Sequence, residues 1–220
     1  MSVLFYERVF LLLVLTIVLA SCVPGALAVD VTCESPPLVN DMCGFYSRCI
    51  EAHFPCGDDG YALGYGMKYC QRFSQYEGCD DDDWKSWVNS TLVCLQRSLV
   101  PVYDADCSSL SCNGIKSTAF DSHPTCYTGG GDVAPVDPSI CFLPIKDQAC
   151  VLKIIDPKDL IHPADIKQEL ATAEICVKQL AHSGLCNHLG DRVSDNCRYW
   201  RDRVSNTTAT VTAMAGTQGL

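Results

Sequence analysis

The sequence predicts an all-α fold: a disulfide-rich helical domain with a loop-rich N-terminal segment and a disordered C-terminal tail. Three observations carry this. The 220 residues include sixteen cysteines, a number that fits a disulfide framework. Apolar residues return at the i, i+3, i+4, i+7 spacing of an amphipathic helix in several long segments, and no segment alternates as a half-buried strand does. Glycine- and proline-rich stretches separate these segments and read as loops.

The chain opens with an apolar run, Val9–Ala20, soon broken by Pro24-Gly25. It is too short to span a bilayer. Followed by Ala26-Leu27-Ala28, it reads as a signal peptide over 1–28 with Val29 as the first mature residue. Leu19-Ala20-Ser21-Cys22 also has the form of a lipoprotein cleavage site. The cysteine density and two sequons favour a eukaryotic secretory route instead. No later apolar run is long enough to span, so the expected product is secreted and extracellular.

Residues 29–60 form a cysteine-rich N-terminal segment, with one short helix expected near 41–53. A helix is expected from Leu63 to about Tyr76 despite its glycines. The clearest helix lies in "DDDWKSWVNSTLVCLQRSLVPVY", where Trp84, Trp87, Val88, Thr91, Leu95 and Leu99 trace one stripe. Asp81 to Asp83 meet the positive end of its dipole, and Pro101 is expected to end or kink it. A helix over "DCSSLSCNGIKSTAF" follows, then a loop over 128–139. The third part, 161–204, is a helical pair. The first helix has Pro163 in its first turn and a face of Ile166, Leu170, Ala173, Val177, Leu180 and Gly184. The second runs from Asp191 to Val204, and the Thr/Ala-rich stretch 205–220 reads as disordered.

Fifteen cysteines follow residue 28: Cys33, Cys43, Cys49, Cys56, Cys70, Cys79, Cys94, Cys107, Cys112, Cys126, Cys141, Cys150, Cys176, Cys186 and Cys197. No Cys-x-x-Cys occurs, so a zinc framework is disfavoured. An odd number leaves one cysteine for an intermolecular bridge or a free thiol. Cys176, Cys186 and Cys197 form a C-terminal trio that cannot pair among themselves. One of them reaches back to the central region or crosses to a second chain. The crossing is preferred, at Cys186, giving a disulfide-linked homodimer.

Two sequons, at Asn89 and Asn206, are candidate N-glycosylation sites if exposed. Asn89 lies off the apolar stripe of its helix. The run Asp80, Asp81, Asp82, Asp83 is a candidate for weak calcium binding. It lacks the alternating ligands and central glycine of a high-affinity loop, and reads first as an exposed helix N-terminus.

"AFDSHPTCY" (119–127) raises the question of catalysis. Its histidine, aspartate, cysteine and tyrosine superficially match the catalytic helix of secreted phospholipases A2. Pro124 directly after His123 disfavours helical geometry at the histidine. Asp121, two residues earlier, faces elsewhere on a helix. The reading is structural: "SHP" ends a helix and places Cys126 for a bridge. No Gly-x-Ser-x-Gly, phosphate-binding loop or zinc-protease helix is present, and no cofactor is implied. The basic, aromatic cluster Arg198, Tyr199, Trp200, Arg201 and Arg203 reads as helix packing in a chain of charge −10, not as a nucleic-acid surface.

The order "GMKYCQRF", "WVNSTLVCLQRSL", "CSSLSCNGIKSTAFDSHPTCY", "SICFLPIKDQ" resembles the stanniocalcins, and more closely their shorter invertebrate relatives. The resemblance covers roughly residues 60–160. Its carriers are Cys70, Cys94, Cys107, Cys126 and Cys141, with Trp87, Leu92, Leu95 and Tyr127 between them. The chain adds Cys112 and Cys150 and lacks the long basic tail of the vertebrate hormones. The resemblance implies a secreted, all-α, regulatory glycoprotein without enzymatic activity, typically a disulfide-linked homodimer that binds an extracellular receptor. An extracellular matrix protein of a shell, skeleton or coat, or a venom or defence polypeptide, is the alternative. Receptor binding would mark the first class and recovery from demineralised tissue the second.

Overall fold

The structure, a computed structural model, describes residues 33–38, 41–105, 110–129, 139–160, 163–183 and 191–217. The expected leader, Cys107, most of the expected 128–139 loop, Gly184 and Cys186 lie outside these residues. Every regular element described is helical, and none is a strand.

The N-terminal segment winds into a helix over 44–53, whose middle, Tyr46–Glu51, is π-helical. A second π-helical stretch, Ala62–Met67, runs directly into α1 (Lys68–Ser74). Together they supply the helix expected over 63–76. Its glycines have a packing reason: a Cβ on Gly66 would lie 2.5 Å from the Tyr46 ring, so only glycine lets the two π-helical stretches approach this closely.

The long helix α2 (Asp82–Arg97) buries the expected stripe from Trp84 to Leu95, and Leu99, just past its end, is buried as well. Pro101 takes the first turn of the short α3 (Val100–Tyr103), where its missing N–H costs nothing.

α4 (Cys112–Thr128) starts at Ser111, whose hydroxyl accepts from the Gly114 N–H. It corrects the sequence-based reading, because the helix does not end at "SHP". It runs through Pro124 for a further turn and leaves His123 inside it. An interior proline costs about 3 kcal/mol, so the last turn must be held by other contacts. Cys126 is bonded to Cys94, the Trp87 indole donates to the Tyr127 carbonyl, and Gln179 donates to the Thr128 carbonyl. Gly129 then closes the helix in the left-handed conformation, at φ 74°.

A 3₁₀ turn, Ile140–Phe142, leads into α5 (Ile145–Ile154) and the short α6 (Pro157–Leu160), two helices with no counterpart in the sequence-based reading. Lys68 and Arg72 of α1 anchor this region by ion pairs to Asp156, at 2.6 and 2.7 Å, and Lys68 also meets Asp159 at 2.8 Å. Tyr69 adds a short hydrogen bond to Asp159. The paired cations hold the Asp156 carboxyl at about 2, below the usual carboxylate range.

α7 (Pro163–His182) packs against both α4 and α8 (Asp191–Thr217). Its buried face includes Gln168, Thr172 and Cys176 beside the expected Ile166, Ala173 and Leu180, while Leu170 and Val177 are only half-buried. α8 continues past Val204, the expected end, to Thr217. Composition favours disorder there, and the back-bonds from Thr210 and Thr212 to the carbonyls of Asn206 and Thr208 do not by themselves favour a helix; Thr207 is nevertheless buried.

Six bridges join these elements: Cys33–Cys49, Cys43–Cys70, Cys56–Cys112, Cys79–Cys150, Cys94–Cys126 and Cys141–Cys176. They cross both boundaries drawn in the sequence, near residues 60 and 160. Cys197 is disulfide-bonded as well. Its partner is a cysteine outside the described residues, because the six bridges use every other described cysteine. The C-terminal trio is thus opened by Cys176, which reaches back to Cys141. This is the alternative to a crossing at Cys186, and the parity argument now falls on the cysteines outside the described residues.

The tight approach of the two π-helical stretches gives a first prediction. The Tyr46 ring is fully buried and cannot swing away, so Gly66→Ala should cost about 1–3 kcal/mol. At roughly 2–4 °C per kcal/mol for a chain of this size, a thermal melt should show a clear fall in Tm. An unchanged Tm would mean that the two stretches are not in contact in solution.

Candidate functional site

His123 and the acidic run at the start of α2 are the two chemical candidates, and the structure treats them oppositely. His123 is 1% exposed. The Tyr61 hydroxyl lies 3.1 Å from its Nε2, and the Tyr127 hydroxyl 3.2 Å from its Nδ1. A neutral imidazole carries one N–H and one lone pair, so one tyrosine donates to the ring and the other accepts from it. Phe120 and Tyr65 pack around the ring at 5.2 and 6.0 Å between centroids. Burial lowers the His123 pKa from 6.5 to about 4, with Gln168 pulling slightly the other way. The neighbouring Asp121 turns outward and pairs with Lys167 at 2.9 Å. A histidine–aspartate pair is therefore not formed, and Ser122 bonds to the Ala119 carbonyl within the helix.

An apolar cavity of about 50 Å³ lies beside His123, between Tyr46, Tyr61, Trp87 and Leu95. A second, of about 80 Å³, lies between α5, α7 and α8 and is lined by Gln148, Tyr199, Trp200 and Arg203. Both are on the scale of a few waters rather than of a substrate. The aromatic–basic cluster serves packing here: Trp200 is buried, and Arg203 lies over the Tyr199 ring and pairs with Glu169.

The acidic run opens onto a cleft of about 780 Å³ between the start of α2, the Pro144–Asp147 turn and α8. Asp81, Asp82, Asp83, Asp147 and Asp195 line it, with Lys146 as the cation among its lining residues. Asp80 is not part of the lining. Asp81 occupies the N-cap of α2, yet its side chain makes no cap hydrogen bond. It turns instead to Lys146, which holds its carboxyl below the usual range. Asp147 is 2% exposed, and its Oδ2 accepts no hydrogen bond among the described residues. Burial raises the Asp147 pKa, and the facing Asp81 charge raises it further. Asp195 pairs with Arg198 at the rim. Cys79 and Cys150 also lie against Asp147, but their sulfurs are bonded to each other and offer no thiolate to a metal.

Asp147, Lys146 and Asp195 were missed in the sequence because no local pattern links them to residues 80–83. One signal existed. Once 145–154 is read as a helix, Asp147 falls on the same face as Cys150 and Ile154, a charged residue among buried ones. Asn89 and Asn206, the two sequon asparagines, are both exposed on helix surfaces.

No protein-family model, curated protein or solved structure matches the chain. Among the described residues no helix is long and apolar enough to cross a membrane.

The buried imidazole sets a pH dependence. His123 has a lower pKa folded than unfolded, so below pH 6.5 the unfolded chain takes up a proton that the folded chain refuses until about pH 4. Its stabilising contribution is complete above 6.5 and is lost as the pH falls through that window, by about 3 kcal/mol in total. Urea unfolding of the parent and of His123→Gln should show a stability difference that shrinks by this order between pH 7.5 and 4. A difference that stays constant would mean that His123 is not buried as a neutral ring.

Proposed function

We propose that this chain is a secreted, stanniocalcin-like regulatory glycoprotein that acts by binding extracellular protein partners and not by catalysis. The observation that carries the reading is the bridge framework, which ties the N-terminal helices through to α7 and is characteristic of an oxidising compartment. The sealed environment of His123 supports the non-catalytic half, since a general base must reach the proton it removes. The exposed sequons support glycosylation at Asn89 and Asn206.

Covalent dimerisation belongs to the same proposal. With the leader removed and six bridges closed, Cys107, Cys186 and Cys197 remain, and Cys197 is bonded. That odd number leaves at least one cysteine for a second chain or a free thiol, and Cys186 is the preferred crossing. The acidic cleft and the charge of −10 favour one alternative reading, an extracellular matrix protein.

Expression in secreting eukaryotic cells tests the proposal. The chain should appear in the medium, lose mass with an N-glycanase, and release no fatty acid from phospholipid above background. On a non-reducing gel it should run near twice its reduced mass. Cys107→Ser or Cys186→Ser, whichever residue makes the crossing, should collapse it to monomer. Retention as a reduced intracellular protein would overturn the secretory reading. Calcium-dependent phospholipid hydrolysis abolished by His123→Ala would overturn the non-catalytic one.

A further inference from the structure

We propose that the cleft between the start of α2 and the start of α5 is a calcium site, with the Asp81 and Asp147 carboxylates as its inner ligands. Asp82, Asp83 and Asp195 surround it with negative charge. This goes beyond the acidic run read as a solvated helix end, because the ligand that defines the site, Asp147, is not in that run.

The Asp147 carboxyl is withdrawn from water, yet Oδ2 has no hydrogen-bond donor among the described residues. Buried carboxylates are otherwise paired, hydrogen-bonded or bound to a metal. The group that faces it is a second carboxyl, Asp81, within hydrogen-bonding range. Two carboxyls face each other stably in two ways: they share a proton, or a cation sits between them. The rest of the cleft favours the cation. Asp81 forgoes the helix cap that its position offers and presents its carboxylate across the cleft instead. Lys146, the lysine of the lining, is an exposed side chain bound to Asp81, a placeholder that an ion can displace. The cleft is wide and open at the rim, so an ion can enter and keep several waters.

Ligand chemistry selects the ion. The donors are hard carboxylate oxygens, the neighbouring sulfurs are locked in the Cys79–Cys150 bridge, and among the described residues no histidine lines the cleft. Such a set suits calcium, which accepts mixed carboxylate and water ligands in loose geometry, better than zinc or copper. The proposal is separable from the preceding section: the chain can be secreted, bridged and non-catalytic while the cleft stays empty.

The test uses the purified, disulfide-intact chain at neutral pH. Calorimetric titration with calcium chloride should give a single binding event. Melting in millimolar calcium should occur at a higher temperature than in chelator, since only the folded chain assembles the site. Terbium used as a probe should show emission sensitised by Trp84, one turn along α2 from Asp81, and calcium should quench it. Asp147→Asn and Asp81→Asn should each weaken binding at least about tenfold. Lys146→Gln should tighten it. Asp121→Asn, at a carboxylate that pairs with Lys167 on another face, should leave it unchanged. If Asp147→Asn fails to fold, Asp81→Asn, at a largely exposed side chain, decides the matter. The proposal is overturned if calcium shifts neither the calorimetric trace nor the melt of the parent. It is equally overturned if Asp147→Asn keeps the parent's calcium response, or if Asp147→Asn stabilises the chelated chain while calcium does nothing to the parent, the outcome expected of a shared proton.

Discussion

Covalent closure is the constraint on which the rest of this structure depends. Several helical elements are very short: α3 and α6 have four residues each and the 3₁₀ turn three. Helices of that length do not persist in water alone, because nucleation costs more than a turn or two of hydrogen bonds returns. Each bridge removes roughly 3–4 kcal/mol of chain entropy from the unfolded state on a loop-closure account. The bridges pin the N-terminal helices through Cys49 and Cys70, the turn before α2 through Cys79, and the 3₁₀ turn through Cys141. The aromatic core then packs in a frame whose topology is already limited. The interior proline of α4 is tolerated in this setting, since the Cys94–Cys126 bond holds the turn that follows it.

Two buried ionisable groups mark two different uses of the interior. His123 is enclosed by rings, paired on both nitrogens by tyrosine hydroxyls, and kept neutral by lack of solvation. It behaves as a polar member of the core, and its hydroxyl partners, Tyr61 and Tyr127, fix how the second π-helical stretch meets α4. Asp147 is equally withdrawn, but its neighbour is another carboxyl, and the space beyond it is open and acidic. The first group is satisfied by the fold, whereas the Oδ2 of the second has no hydrogen-bond partner among the described residues. That contrast moves attention from the histidine, which the sequence advertises, to an aspartate that it does not.

The two functional readings fit together physically. The two cavities inside the bridged helical scaffold are of water size, whereas the acidic cleft opens to solvent. At the acidic cleft three separate helices and the turn before α5 meet. An ion held there would tie the start of α2 to α5 beside the Cys79–Cys150 bridge and oppose the repulsion of five aspartates. Extracellular calcium would then act on local rigidity at one end of the molecule without altering the core.

The sequence by itself determined the helical class, the disulfide character, and the α2 stripe from Trp84 to Leu99. Those follow from periodicity and composition, which are local. It also placed Asn89 off that stripe. Three things were decided only by tertiary structure. α4 passes through Pro124 because contacts from Cys94, Trp87 and Gln179 outweigh a local penalty that sequence reasoning can see. α8 extends to Thr217, past the point where polar composition ends it, with Thr207 buried. Asp147 meets Asp81 because the Cys79–Cys150 bridge draws together segments about seventy residues apart in the chain, at a separation of 71. Pairing among so many cysteines has no local signal, so every feature that depends on which cysteine meets which, the acidic cleft included, was settled by the fold.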